Sequence, residues 1–122
     1  MIHRISSGGA YEDVIGYSRA VSAGPFVFVS GCTSTVDGLY EQTLDAFGVA
    51  TRALSAAGLT LGDVVQTRMF VTDIGGWGEV GRAHAELFGD IRPAATMVGV
   101  AALIDPRMLV EVEVVAYREP AP

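Results

Sequence analysis

The chain has 122 residues and a net charge of −6, with half of its residues hydrophobic and 18% charged. That length predicts one domain, residues 1–122, because a second would be too small to bury a core; the apolar share and a mean hydropathy of +0.39 exclude a disordered chain. The apolar runs fall far short of the roughly 20 residues that span a bilayer, no basic and apolar leader is visible, and an acidic surface repels phosphate backbones, so neither membrane nor nucleic acid is an expected partner and the cytoplasm is the expected compartment.

Three absences narrow the chemistry. Without lysine there is no Schiff-base or P-loop chemistry. Without asparagine there is no N-glycosylation site. Cys32 is the only cysteine, so neither an intrachain disulfide nor a cysteine-cluster zinc site can form. Cys32, His3 and His84 have no metal-ligand spacing, and neither metal nor cofactor is expected.

In chain order, Gly24-Pro25 punctuates a turn between Ser18–Ala23 and the β-branched and aromatic run Phe26–Ser30, which predicts an early hairpin. Asp37-Gly38 marks a loop. Glu41–Ala57 reads as a helix, with Leu44, Phe47, Thr51 and Leu54 on one face, Glu41 and Asp45 near the positive end of its dipole, and Gly58 as the residue that ends it. Val64–Thr72 is a strand. Trp77–Phe88 is a second helix, with Trp77, Val80, His84, Leu87 and Phe88 near its inner face. Thr96–Ala101 and Leu109–Tyr117 are strands, separated by a loop holding Asp105-Pro106.

This order predicts a two-layer α+β domain with two helices on one face of a sheet and right-handed strand–helix–strand crossovers. Val110, Val112 and Val114 alternate with Glu111 and Glu113, so the valines suit the helix layer and the glutamates face away. Phe26 to Val29 and Met97 to Val100 are apolar on both faces. Two helices cover only one side, so the other side is expected to meet further copies of the chain.

Several stretches together are similar to one family. They are Gly16-Tyr17-Ser18-Arg19-Ala20, Val27-Phe28-Val29-Ser30-Gly31, Ala57-Gly58-Leu59 followed by Asp63-Val64-Val65, Met69-Phe70-Val71-Thr72-Asp73, Arg92-Pro93-Ala94-Ala95-Thr96 and Leu109-Val110-Glu111-Val112-Glu113. In this order they resemble the reactive-intermediate deaminases, the Rid or YjgF/UK114 family. The resemblance implies a chorismate-mutase-like fold, a homotrimer with small-molecule clefts between subunits, and hydrolysis of reactive enamines and imines to a keto acid and ammonia.

The resemblance also implies site residues. Glu111 matches the glutamate that positions water, and a desolvated carboxylate with a raised pKa suits that work. Tyr17 matches the cleft tyrosine. Ser30 and Gly31 follow a strand, where a glycine lets a ligand approach the backbone. Cys32 stands where glutamine is common, and a lone cysteine is more often a small buried hydrophobe than a nucleophile. Thr96 matches a residue that offers its backbone.

The family's carboxylate-clamping arginine falls at Ala95, and a methyl group cannot replace a bidentate guanidinium. The usual 2-imino acids are therefore not the expected substrates. Arg107 is the preferred substitute cation because its loop should border the cleft, with Arg92 and Arg68 as others.

The leading reading is thus a hydrolase of another imine, enamine or related metabolite. The alternative is a non-catalytic binding trimer. A ribonuclease is disfavoured by the acidic balance and by the lack of a histidine–lysine pair.

Overall fold

In the computed structural model, which describes residues 1–120, six strands form one mixed sheet in the order β1-β2-β3-β6-β4-β5. The strands are β1 (Ile2–Ile5), β2 (Ala20–Ala23), β3 (Phe26–Cys32), β4 (Val64–Val71), β5 (Ala94–Gly99) and β6 (Val110–Tyr117), and the long helices are α1 (Leu39–Ala56) and α2 (Trp77–Phe88). Only β4 and β5 pair in parallel, with α2 as their crossover.

Local chemistry explains most of these boundaries. The β2–β3 hairpin closes with Ala23 opposite Phe26, and Gly24 takes the positive φ of 59° that a tight hairpin turn requires. Helix α1 ends in two linked bonds, from the Gly58 N–H to the Ser55 carbonyl at 2.9 Å and from the Leu59 N–H to the Leu54 carbonyl at 2.8 Å. Gly58, at φ 80°, is the left-handed residue on which this ending turns, and buried Leu59 and Leu54 accompany it.

Strand β6 is central, and its expected alternation holds. Val110, Val112 and Val114 are buried beneath the helices with Phe47, Leu54, Val80 and Phe88. Glu111 and Glu113 lie on the opposite face. That face also carries Phe26, Phe28 and Val98, which are 39%, 46% and 40% exposed. No helix of the described residues covers them, so the sheet is apolar on both sides, as its strands foretold.

Three readings change. Strand β5 begins at Ala94, two residues earlier than expected, because its parallel register with β4 starts opposite Gln66. Trp77, expected on the inner face of α2, is 63% exposed at the helix start. Helix α1 begins at Leu39, two residues before the expected Glu41. His84, near the inner face of α2 as its spacing predicts, is half-buried between the Phe47 and Phe88 rings, and its Nε2 lies 2.9 Å from the Thr67 hydroxyl. Burial in that apolar setting lowers its pKa.

Four elements had no expectation: the short helical turns Leu61–Asp63 and Ile74–Gly76, and two others. One is β1 at the sheet edge. The other is a wide helical turn at Glu12–Gly16, closed by the Tyr17 N–H on the Glu12 carbonyl at 3.0 Å.

Candidate functional site

The site grows from an irregularity in β3. Val29 pairs with Val114, but the next partners are Cys32 and Val112, so β3 carries one residue more than β6 between them. Such a bulge re-aims side chains and frees backbone groups. Ser30 and Gly31 occupy it. The Ser30 N–H donates to the Arg19 carbonyl at 2.9 Å and its hydroxyl to the Ser18 carbonyl at 2.6 Å.

Gly31 lies against Glu111. A Cβ built on Gly31 would overlap the Glu111 carboxylate as it stands, so any side chain there would require the acid to move. Glu111 is half-buried and has no hydrogen-bond or ion-pair partner among the described residues. Desolvation, with the neighbouring Glu113 carboxylate, raises its pKa, while Arg19 opposes the shift. Glu113, two residues on, pairs instead with Arg68 at 3.2 Å.

Arg19 holds the bulge from below and was not singled out by sequence. It is 8% exposed. Its Nη1 donates to the Gly31 carbonyl at 2.7 Å and to the Ser30 carbonyl at 3.4 Å. Its Nη2 reaches the Tyr17 hydroxyl at 3.2 Å, and the guanidinium lies 5.5 Å from the Tyr17 ring centroid. Sequence shows such a residue only as an arginine in a strand-like alternation; the bulge that draws it inward is a tertiary feature.

Two concavities meet at Glu111. One, of about 310 Å³, is walled by Tyr11, Ile15, Tyr17 and Ile104 with Arg19, Gly31 and Glu111 at its base. The other, of about 340 Å³, lies between Gly31, Phe70, Val100, Leu103, Glu111 and Glu113. The loop from Val100 to Leu109 therefore borders the site. Buried Gln42 anchors that loop by donating to the Arg107 carbonyl and accepting from the Leu109 N–H, both at 2.8 Å.

Within one protomer, Tyr17, Gly31 and Glu111 come together, and Ser30 lies beside them in the bulge. Cys32 is 1% exposed, with its side chain in the core, and burial pushes its thiol pKa up to about 11, so it is no thiolate at neutral pH. Ala95 and Thr96 are exposed on edge strand β5 and line neither concavity. Thr96 stands opposite Arg68, which stands opposite Glu113, whereas Glu111 shares its row with Phe70 and Val98.

The three substitute arginines are all engaged. Arg107 clasps Asp105 through Nε at 3.1 Å and Nη2 at 2.8 Å, which holds that carboxyl down to about 2. Arg92 donates to the Gly89 carbonyl at 2.9 Å, and Arg68 is held by Glu113.

In this small α+β protein a glycine bulge seats a desolvated carboxylate, without a bonded partner among the described residues, between two surface concavities. No group of three or more potential metal ligands occurs among the described residues, and no helix of the described residues is long and apolar enough to cross a membrane.

The sequence profile of the family described as Endoribonuclease L-PSP matches residues 9–118. The chain belongs to this family, the Rid/YjgF/UK114 proteins. It is 41% identical to an uncharacterized protein of Streptomyces coelicolor over 96% of this chain and 92% of that one. It is 32% identical to a RutC family protein of Pyrococcus horikoshii over 84% and 87% of the two chains. The crystal structure of a YjgF/YER057c/UK114 family member from Mycobacterium tuberculosis superposes with a TM-score of 0.94 at 51% identity, covering 96% of this chain and 99% of that one. The six-stranded sheet with two helices is thus the family's fold.

Proposed function

We propose that the protein is a hydrolase of a reactive imine or enamine, acting in clefts between the subunits of a homotrimer, on substrates other than the usual 2-imino acids. The observation that carries this reading is the Glu111 carboxylate, half-buried, without a partner and seated against Gly31. A carboxylate of raised pKa is a suitable base for water at near-neutral pH.

In the reaction, Glu111 takes a proton from water as its oxygen attacks the carbon of the C=N bond. The π electrons of the protonated imine move to nitrogen and give a neutral carbinolamine. Glu111 then returns its proton to the amine nitrogen and takes the hydroxyl proton as the C–N bond breaks, which releases ammonia and leaves a carbonyl product. The Gly31 backbone and Tyr17 hydroxyl hold the substrate, and Thr96 from a neighbouring copy lines the far wall with Ala95. The exposed row of Phe26, Phe28 and Val98 supports assembly through the open sheet face.

Ala95 offers only a methyl where the family resemblance places a carboxylate clamp, and the loss of such a pair costs on the order of 2–5 kcal/mol of binding. This directs the reading away from 2-imino acids. The ribonuclease reading gains nothing from the site: His84 is half-buried between Phe47 and Phe88, His3 is on β1, and neither lines the concavities at Glu111.

Ammonia release from freshly generated imines, with and without carboxylates, tests the proposal. Turnover that depends on Glu111 supports it. Binding of imines without turnover by the wild-type trimer would assign the cleft to a binding protein instead.

A further inference from the structure

A third concavity, of about 560 Å³, lies between the N-terminal segment and α1. Two guanidiniums line it, Arg19 and Arg52, and no carboxylate does among the described residues. In a chain with 14 acidic and 8 basic residues this is a notable convergence of like charge. Arg68, Arg82 and Arg107 each hold a carboxylate, whereas neither Arg19 nor Arg52 forms an ion pair among the described residues.

Arg19 is more than nine-tenths buried, and its Nε has no hydrogen-bond partner. Glu111 acts on this cation only at a distance, no carboxylate bonds to it among the described residues, and an unpaired buried donor is costly. The nearest acid on the N-terminal side does not relieve it. Glu12 is occupied by the Ser6 and Ser7 hydroxyls and by the N–H groups of Ser7 and Gly9. The concavity is thus lined by two arginines and no carboxylate among the described residues, with Thr33 beside them.

We infer that this concavity is an oxyanion subsite, in which Arg52 and Arg19 receive the carboxylate or phosphate end of a small ligand. Guanidinium groups bind both oxyanions through short charge-assisted bonds. Gly9, Arg19 and Thr33 line this concavity and also the 310 Å³ one at Glu111, so the two are adjacent. A ligand with an anionic group remote from its reactive carbon can span the two. This last step rests on the hydrolase reading; the anion site itself does not.

Inorganic phosphate and, separately, acetate are titrated into the intact protein at constant ionic strength, and the arginine Nε–H signals are followed by 15N NMR. The readout involves no turnover, so its failure is separate from that of the hydrolase. The expected result is a saturable shift of the Arg19 and Arg52 signals together. Arg52 is exposed on α1, so R52A keeps the fold, and it should weaken binding about tenfold. Saturation by phosphate alone or by acetate alone identifies the preferred oxyanion. Shifts that never saturate, saturation at other arginines only, or unchanged affinity in R52A would overturn the inference.

Discussion

Gly31 and Glu111 form a matched pair across β3 and β6: the carboxylate occupies the volume that any Cβ at position 31 would need. The absent side chain and the acid make one feature, because the bulge that brings Gly31 forward also shields Glu111 from water.

G31A should therefore disturb the protein through overlap alone, since Gly31 is not among the positive-φ glycines. The overlapping atoms are the free end of the Glu111 side chain, which can swing aside, so the cost should stay below the ~1–3 kcal/mol of overpacking in a rigid core. In the double variant G31A/E111A the overlap disappears, so the two substitutions should be non-additive by more than the ~0.5 kcal/mol of independent sites. Urea denaturation of the four proteins measures this coupling.

E111Q keeps the volume and removes the base. Turnover should fall about 10²-fold or more, with little change in assembly. An E111Q protein that turns over like wild type but dissociates would assign Glu111 to the interface.

The pH profile follows from the same group. Glu111 must be ionised to act, and burial raises its pKa above the ordinary carboxylate value. Activity should thus rise with pH through a pKa above that of a free glutamate. The folded state holds this proton more tightly than the unfolded chain, so its contribution to stability is present at low pH and declines as pH rises through the folded pKa. E111Q should abolish both the rise in activity and that decline, as read from initial rates and from urea midpoints against pH.

Glu12 has the opposite sign. Its bonds to Ser6, Ser7 and Gly9 pull its pKa down to about 2. Its contribution to stability is present above the ordinary glutamate pKa and is lost as pH falls towards 2. E12Q should be less stable than wild type at neutral pH, and the gap should close in acid. Thermal unfolding from neutral pH to pH 2 checks this.

V98D places a charge in the open apolar face of the sheet. Val98 is 40% exposed in one protomer, and burial of such surface contributes about 25 cal/mol per Å² to assembly. Light scattering should find a trimer for wild type and smaller species for V98D. A wild-type monomer at micromolar concentration would remove the intersubunit cleft from the proposal.

Much of the architecture was legible before any coordinates. Helix α2 has the bounds its apolar spacing predicts, Gly58 ends α1, and the valine–glutamate alternation of β6 places Glu111 on the open face. These features depend on periods of 3.6 and 2 and on a left-handed glycine, all of which are local properties of the chain. Strand β1 was not legible, because Ile2–Ile5 is short and gains order only by pairing with β2. The role of Arg19 depends on contacts with Tyr17, Ser30 and Gly31 across a bulge, and a bulge is defined by the register of two strands rather than by either one. The engagement of Arg107 with Asp105, and the turning of Cys32 into the core, were likewise decided by tertiary packing. Sequence alone determined which residues carry charge and which face of each strand they occupy; the three-dimensional fold decided which charges are partnered and which stay free to meet a ligand, because partnership is a matter of distance between elements far apart in the chain.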